Sequence, residues 1–143
     1  MIFDILFIFF ISFYHYIILN PLEKNIFRHL FYNDKRPKID CKNDESFRCY
    51  GMPSGHTETI VIFCLLLFHK KYISKFIVFL LVLLIISQRL LSKMHTFKQV
   101  FVGLIMGSIY SAIYIQLNNK LYIILFILFI TLLYKSIFSR FEK

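Results

Sequence analysis

Residues 97–117 read FKQVFVGLIMGSIYSAIYIQL, a run in which Lys98 is the only full charge. A bilayer core about 30 Å thick needs about 20 mostly apolar residues of helix, and this run meets that length. Four more segments carry the same signature: Ile2 to Leu19, Ser54 to Lys71, Ile73 to Leu91 and Leu121 to Ser139. The Ser54 to Lys71 segment is the shortest. Its apolar stretch, Ile60 to Phe68, makes a poor span alone and needs neighbours on all sides. An open sheet in lipid leaves backbone groups unpaired, and five segments of this length cannot close a barrel, so helices follow. The expected fold is all-α, a polytopic membrane bundle of about five transmembrane helices forming a single domain over residues 1–143.

Composition points the same way. Of 143 residues 58% are hydrophobic and 19% aromatic, above the roughly 45–50% apolar content of soluble domains. With 4 Gly and 3 Pro the chain is neither collagen-like nor proline-rich, and so much apolar surface argues against disorder. A net charge of +9 would suggest nucleic acid in a soluble protein. Here the expected partners are the bilayer and anionic lipid or phosphate, not nucleic acid. Ile2 to Leu19 lacks a basic start and a small-residue cleavage site, so it reads as a retained span rather than a signal peptide.

Asn20 to Pro53 breaks the apolar pattern with seven Lys and Arg and five Asp and Glu. It reads as an exposed loop with a short interfacial helix around Leu22 to Tyr32. With alternating spans, this loop, the Gln88 to Lys98 turn and the C-terminal tail share one membrane face. In the fourth span Gly103, Gly107 and Ser111 recur every four residues, a spacing that lets a neighbouring backbone approach closely. Cys64 reads as an apolar filler. Cys41 and Cys49, eight apart in the polar loop, are open to two readings, a disulfide or two free thiols. No Cys or His spacing matches a zinc site, and no metal or cofactor is expected. His15, within the first span, and His69, beside Lys70, are explained by snorkelling at the interface. Glu58 lies one turn inside a span; an ion pair or hydrogen bond with the first-motif region and simple solvent contact at the helix start are both open.

Polar groups are costly in lipid, so those gathered at span ends on one face point to chemistry: Arg36-Pro37, Pro53-Ser54-Gly55-His56, Arg89 and His95. Tyr50 to Thr57 places a turn directly before a helix, with Ser54 available as N-cap. The unpartnered first-turn N–H groups and the helix dipole make an anion site whose natural guest is a phosphate. His95 and Gln99, four apart at a helix start, can touch. A histidine held at one ring nitrogen keeps the other lone pair directed outward as nucleophile or base. Arginine forks suit phosphoryl oxygens.

These residues resemble the type 2 phosphatidic acid phosphatase superfamily. Its motifs are a Lys, six residues and Arg-Pro; then Pro-Ser-Gly-His; then Ser-Arg, five residues, His, three residues and Asp. Pro53-Ser54-Gly55-His56 is a full match, and Arg89 stands five residues before His95. The motif-bearing core covers about Lys24 to Gly107. The chain is also similar to the dolichyldiphosphatase branch in Tyr50-Gly51-Met52-Pro53-Ser54 and in His95-Thr96-Phe97-Lys98-Gln99-Val100. That branch has Ser where this chain has Gly55. At the first motif the expected Lys is His29, with Lys24, Arg28 and Lys35 as other carriers of the charge, and Gln88 stands where the family has Ser. The family also places two further spans before its first motif, whereas one precedes it here.

The resemblance implies a membrane lipid phosphatase that needs no metal. His95 would attack phosphorus to give a phosphohistidine, oriented by Gln99, and His56 would protonate the leaving oxygen. Arg36, Arg89, Ser54, Gly55 and the His29 region would hold the phosphate. A polyprenyl (dolichyl) diphosphate is the expected substrate, with phosphatidate and related lipid phosphates second and a non-catalytic lipid-phosphate-binding protein third. The motif face carries 13 of the 17 Lys and Arg, which the positive-inside rule assigns to the cytoplasm. The branch resemblance implies the lumen of the endoplasmic reticulum or another internal membrane. Part of that excess is phosphate-binding equipment, so orientation stays open.

Overall fold

A computed structural model describes residues 1–30, 35–37, 49–117 and 119–138, without the side chains of residues 28–30, 134, 135, 137 and 138. Among the described residues the chain is all-helical and without a strand. Its elements are α1 (Ile2–Tyr14), a π-helical turn (His15–Leu19), α2 (Asn20–Leu30), α3 (Gly55–His69), α4 (Lys75–Leu91), α5 (Phe97–Leu117) and α6 (Lys120–Phe138). Because α1, the π turn and α2 run on without a break, five rods result.

The continuous first rod corrects the reading of Asn20 to Pro53 as a loop from its first residue. The π turn offers a physical reason. Pro21 lacks an N–H, and its ring would clash with the carbonyl one turn earlier in a regular helix. A wider turn directly upstream, closed by the Asn20 N–H on the His15 carbonyl, lets the rod absorb the proline. As a result Asn20, Glu23 and Lys24 are buried instead of facing water.

Two stretches are long and apolar enough to cross a membrane unaided, Ile2–Phe27 and Phe97–Leu117. The other three rods are shorter or less apolar: Gly55–His69 and Lys120–Leu133 are shorter apolar helices, and α4 has 17 residues. The shortest, α3, is surrounded as its weak hydropathy requires, packing against α1, α4 and α5. Ile62 and Cys64 at its centre have no exposed surface. By contrast no residue of α4 is fully buried, and Phe76, Phe79, Leu80, Leu83 and Leu84 lie outward on it. An apolar exterior around a partly polar interior suits a lipid solvent.

The closest approach in the fold is that of α3 and α5. A Cβ added to Gly103 would lie 2.8 Å from the Ser54 carbonyl oxygen, and one added to Gly107 would lie 2.7 Å from that of Glu58. Ser111, next on this stripe, satisfies its hydroxyl by donating to the Gly107 carbonyl at 2.7 Å. The small residues therefore bring the α5 backbone onto the first turns of α3. At the opposite end Asp4 pairs with Lys120 at 2.7 Å and accepts from the Tyr72 hydroxyl at 3.1 Å. The N-terminus, the α3–α4 turn and the α5–α6 turn thus share one end, as alternating rods demand.

Candidate active site

At the other end the Tyr50 to Thr57 segment leads into α3. Ser54 occupies the N-cap position with φ −72° and ψ 102° but makes no side-chain cap bond. Its hydroxyl instead meets the Thr57 hydroxyl at 3.1 Å. The Ser54 N–H donates to the Gln99 carbonyl at 3.1 Å. The first turn of α3, including Gly55 and His56, is thereby fixed against the start of α5 with its positive dipole end toward the site.

His95 lies in the turn before α5 and is 4% exposed. Its Nδ1–H donates to Gln99 Oε1 at 3.1 Å, an oxygen that also accepts the Thr96 N–H at 3.1 Å. The Gln99 amide nitrogen donates to the Lys35 carbonyl at 3.2 Å. With both ends of the amide assigned by backbone groups, Oε1 faces the ring, so Nδ1 carries the proton and Nε2 the free lone pair. Gly51 makes room for this amide, since a Cβ there would overlap it. Burial first, and then the charges of Arg36, Lys24 and Arg89, pull His95 down to about 3, against the opposing Gln99 bond. The ring is neutral at physiological pH.

The Arg36 segment is held by backbone pairing. Lys35 and Tyr50 form a single antiparallel bridge, the Arg36 N–H donates to the Cys49 carbonyl at 2.9 Å, and Arg36 Nε donates to the Tyr50 carbonyl at 3.3 Å. Burial pulls the Arg36 guanidinium below its usual range. Arg89 Nε is buried and has no hydrogen-bond partner among the described residues, a donor that an anion would satisfy. Lys24, buried on α2, completes a set of three cations, for the charges of Lys24, Arg36 and Arg89 all bear on both His56 and His95. His56 Nε2 also lies 3.4 Å from the Tyr16 hydroxyl, the rings meeting edge to face at 4.9 Å.

The profile of the PAP2 superfamily matches residues 4–123. The chain belongs to the PAP2 superfamily. No curated protein and no solved structure matches it. Membership implies phosphatase activity on phosphorylated lipids in general and agrees with the all-helical architecture. This PAP2 chain brings Arg36, Ser54, Gly55, His56, Arg89, His95 and Gln99 to one end of the bundle. His29 lies on α2 with its side chain outside the described residues, as does that of Arg28. Lys24, in the sequence one of several carriers of the first-motif charge, has a charge that reaches both imidazoles. Tyr16 was not legible as a site neighbour, because an aromatic residue in an apolar run carries no signal until helices pack.

An apolar groove of about 440 Å³ opens beside the site, lined by residues of α1, the π turn, α3 and α4 including Phe9, Phe13, Tyr16, His56, Phe63 and Ile85. His56 is therefore shared between a cationic pocket and an apolar channel.

Below the first turn of α3 the structure overturns one expectation and decides between two readings of another residue. His15 is not an interfacial snorkelling residue: it has no exposed surface, and its Nε2 meets Glu58 Oε1 at 2.8 Å. Of the two readings open for Glu58, a polar bond holds and solvent contact does not: the residue has no exposed surface, and its second oxygen accepts from Asn20 Nδ2 at 2.7 Å. Cys49 is disulfide-bonded; Cys41 lies outside the described residues. Cys64 is a buried free thiol, in keeping with a filler.

Proposed function

We propose that the protein hydrolyses a lipid-linked phosphate or diphosphate at the membrane surface, with a polyprenyl (dolichyl) diphosphate preferred. The observation that carries this reading is the position of His56, which lies in the field of three cations and lines an apolar groove. A lipid phosphate has both parts of that description, an anionic head and an apolar tail. The polyprenyl preference rests on the resemblance of Tyr50 to Ser54 and of His95 to Val100 to the dolichyldiphosphatase branch. The Cys49 disulfide favours an oxidising compartment for the site's face, in line with a lumenal active site in an internal membrane.

In the proposed reaction Lys24, Arg36, Arg89 and the first-turn N–H groups of α3 bind the phosphoryl oxygens. The His95 Nε2 lone pair forms a bond to the terminal phosphorus as the bond from phosphorus to the leaving oxygen breaks. Protonated His56 gives its proton to that oxygen, releasing the lipid monophosphate or alcohol. Neutral His56 then takes a proton from water, whose oxygen attacks the phosphohistidine, and inorganic phosphate leaves with His95 regenerated. Little covalent work beyond this is required, because phosphoryl transfer is dominated by positioning and charge stabilisation. Gln99 orients His95 but, being neutral, does not stabilise a developing imidazolium as a carboxylate would.

The test is phosphate release by the purified protein from dolichyl diphosphate and from phosphatidate. Release with a preference for the diphosphate supports the proposal, a preference for phosphatidate moves the substrate to the second class, and saturable binding without release makes the chain a lipid-phosphate-binding protein. His95→Ala is expected to lose more than about 10³-fold in turnover while still inserting, as loss of a nucleophile does. Full activity in that variant refutes the nucleophile assignment.

A further inference from the structure

Two carboxylates and an imidazole that the proposed chemistry does not use converge inside the bundle. One ligand atom from each of His15, Glu23 and Glu58 lies within 4.8 Å of the others, and the three residues are 0%, 6% and 0% exposed. They come from two rods, His15 and Glu23 from the first and Glu58 from α3. The π turn produces the alignment. Eight residues separate His15 from Glu23, and one residue absorbed by the wide turn leaves the equivalent of about seven, or two α-helical turns, on one face.

The cluster is not a closed hydrogen-bond network. Glu58 is satisfied by His15 and Asn20, but both carboxylate oxygens of Glu23 are buried without a hydrogen-bond partner among the described residues. Its Oε1 stands 3.9 Å from His15 Nε2, and the Glu58 carboxylate and the Tyr110 hydroxyl border the same group. A buried carboxylate left in that state is costly, and two of them side by side are more so. The charge of the neighbouring Lys24 is felt by both glutamates, but it makes no hydrogen bond to either Glu23 oxygen.

We propose that His15, Glu23 and Glu58 bind a divalent first-row transition cation of the zinc or manganese class. One such ion neutralises both carboxylates at once, whereas a single proton neutralises one. An imidazole with carboxylates is a donor set such ions accept. In a tetrahedron with bonds of about 2.0–2.2 Å, ligand atoms stand about 3.4 Å apart. The two distances from His15 Nε2, 2.8 Å to Glu58 and 3.9 Å to Glu23, straddle that value, so closure needs shifts of about half an ångström. The surrounding groups are those that orient metal ligands: Asn20 holds the second oxygen of Glu58, and the Tyr110 ring packs edge-on against His15 at 4.4 Å. The ion ties the first rod to α3 beneath the phosphate site and takes no part in phosphoryl transfer. The proposal does not rest on the phosphatase reading.

The experiment measures metal in the purified full chain. After chelation and removal of the chelator, Zn²⁺ and Co²⁺ are titrated while bound metal and thermal melting are followed. The expected result is one equivalent bound, visible Co²⁺ d–d absorption and a melting temperature raised by several degrees, with affinity reduced about 100-fold or more in Glu23→Gln. Failure of the wild type to bind one equivalent overturns the proposal and leaves a proton between the carboxyls. So does unchanged affinity in a folded Glu23→Gln variant. Should that variant not fold, X-ray absorption at the zinc edge of the wild type decides: one nitrogen and otherwise oxygen ligands support the site, while sulfur or several imidazoles place the ion elsewhere. Phosphate release is not a readout here, so the outcome is separate from that of the phosphatase test.

Discussion

A single amide sets the state of the imidazole assigned the nucleophile's place. Because Gln99 is gripped by Thr96 and Lys35, its oxygen presents one acceptor to His95 Nδ1. Gln99→Ala removes that acceptor without touching the phosphate-binding cations. Its kcat is expected to fall about 10- to 100-fold while KM changes little, the pattern of a positioning residue; steady-state kinetics on the lipid substrate checks this. The pH dependence follows from burial of the same ring. With His95 held down to about 3 in the folded chain and about 6.5 when unfolded, the unfolded state binds the extra proton between those values. Its contribution to stability is therefore fully present above about pH 6.5 and is lost as pH falls toward 3. The His95 ring signals, followed by NMR in the ligand-free protein, are expected not to titrate from pH 8 to pH 5.

Among the elements, the α3–α5 contact places the site. Gly103 faces the Ser54 backbone and Gly107 the Glu58 backbone, each with no room for a Cβ. Gly107→Leu is expected to push the helices apart at a cost of about 1–3 kcal/mol or more, visible as a lower melting temperature in detergent. Turnover should fall with it, because the Ser54 N–H bond to Gln99 is anchored to this contact. The sequence announced this stripe by its four-residue spacing, as it did the existence of α5 with both ends. The π turn could not be read there. Pro21 and the charges of Glu23 and Lys24 all mark a loop by composition, and only their burial in the folded bundle makes a continuous rod preferable.

At the scale of the whole molecule the two ends divide the work. The end built around Asp4, Tyr72 and Lys120 is partly exposed, and an ion pair there is worth about 0–1 kcal/mol. Lys120→Ala should accordingly leave melting and turnover nearly unchanged. The opposite end concentrates cations, imidazoles and a disulfide-bonded Cys49 beside Arg36. Cys49 is expected to resist maleimide until the protein is reduced, which mass spectrometry of the labelled peptide checks. The amino-acid order alone determined that the chain is helical and apolar outside, that His95 and Gln99 are neighbours, and that Ser54, Gly55 and His56 open a helix. Each of these depends on spacing within one segment. Tertiary structure alone decided that Tyr16 meets His56, that the charge of Lys24 bears on both imidazoles and that His15, Glu23 and Glu58 share one buried point. Those facts depend on how separate rods are rotated against each other, and a linear order carries no record of that rotation until small residues and a widened turn set it.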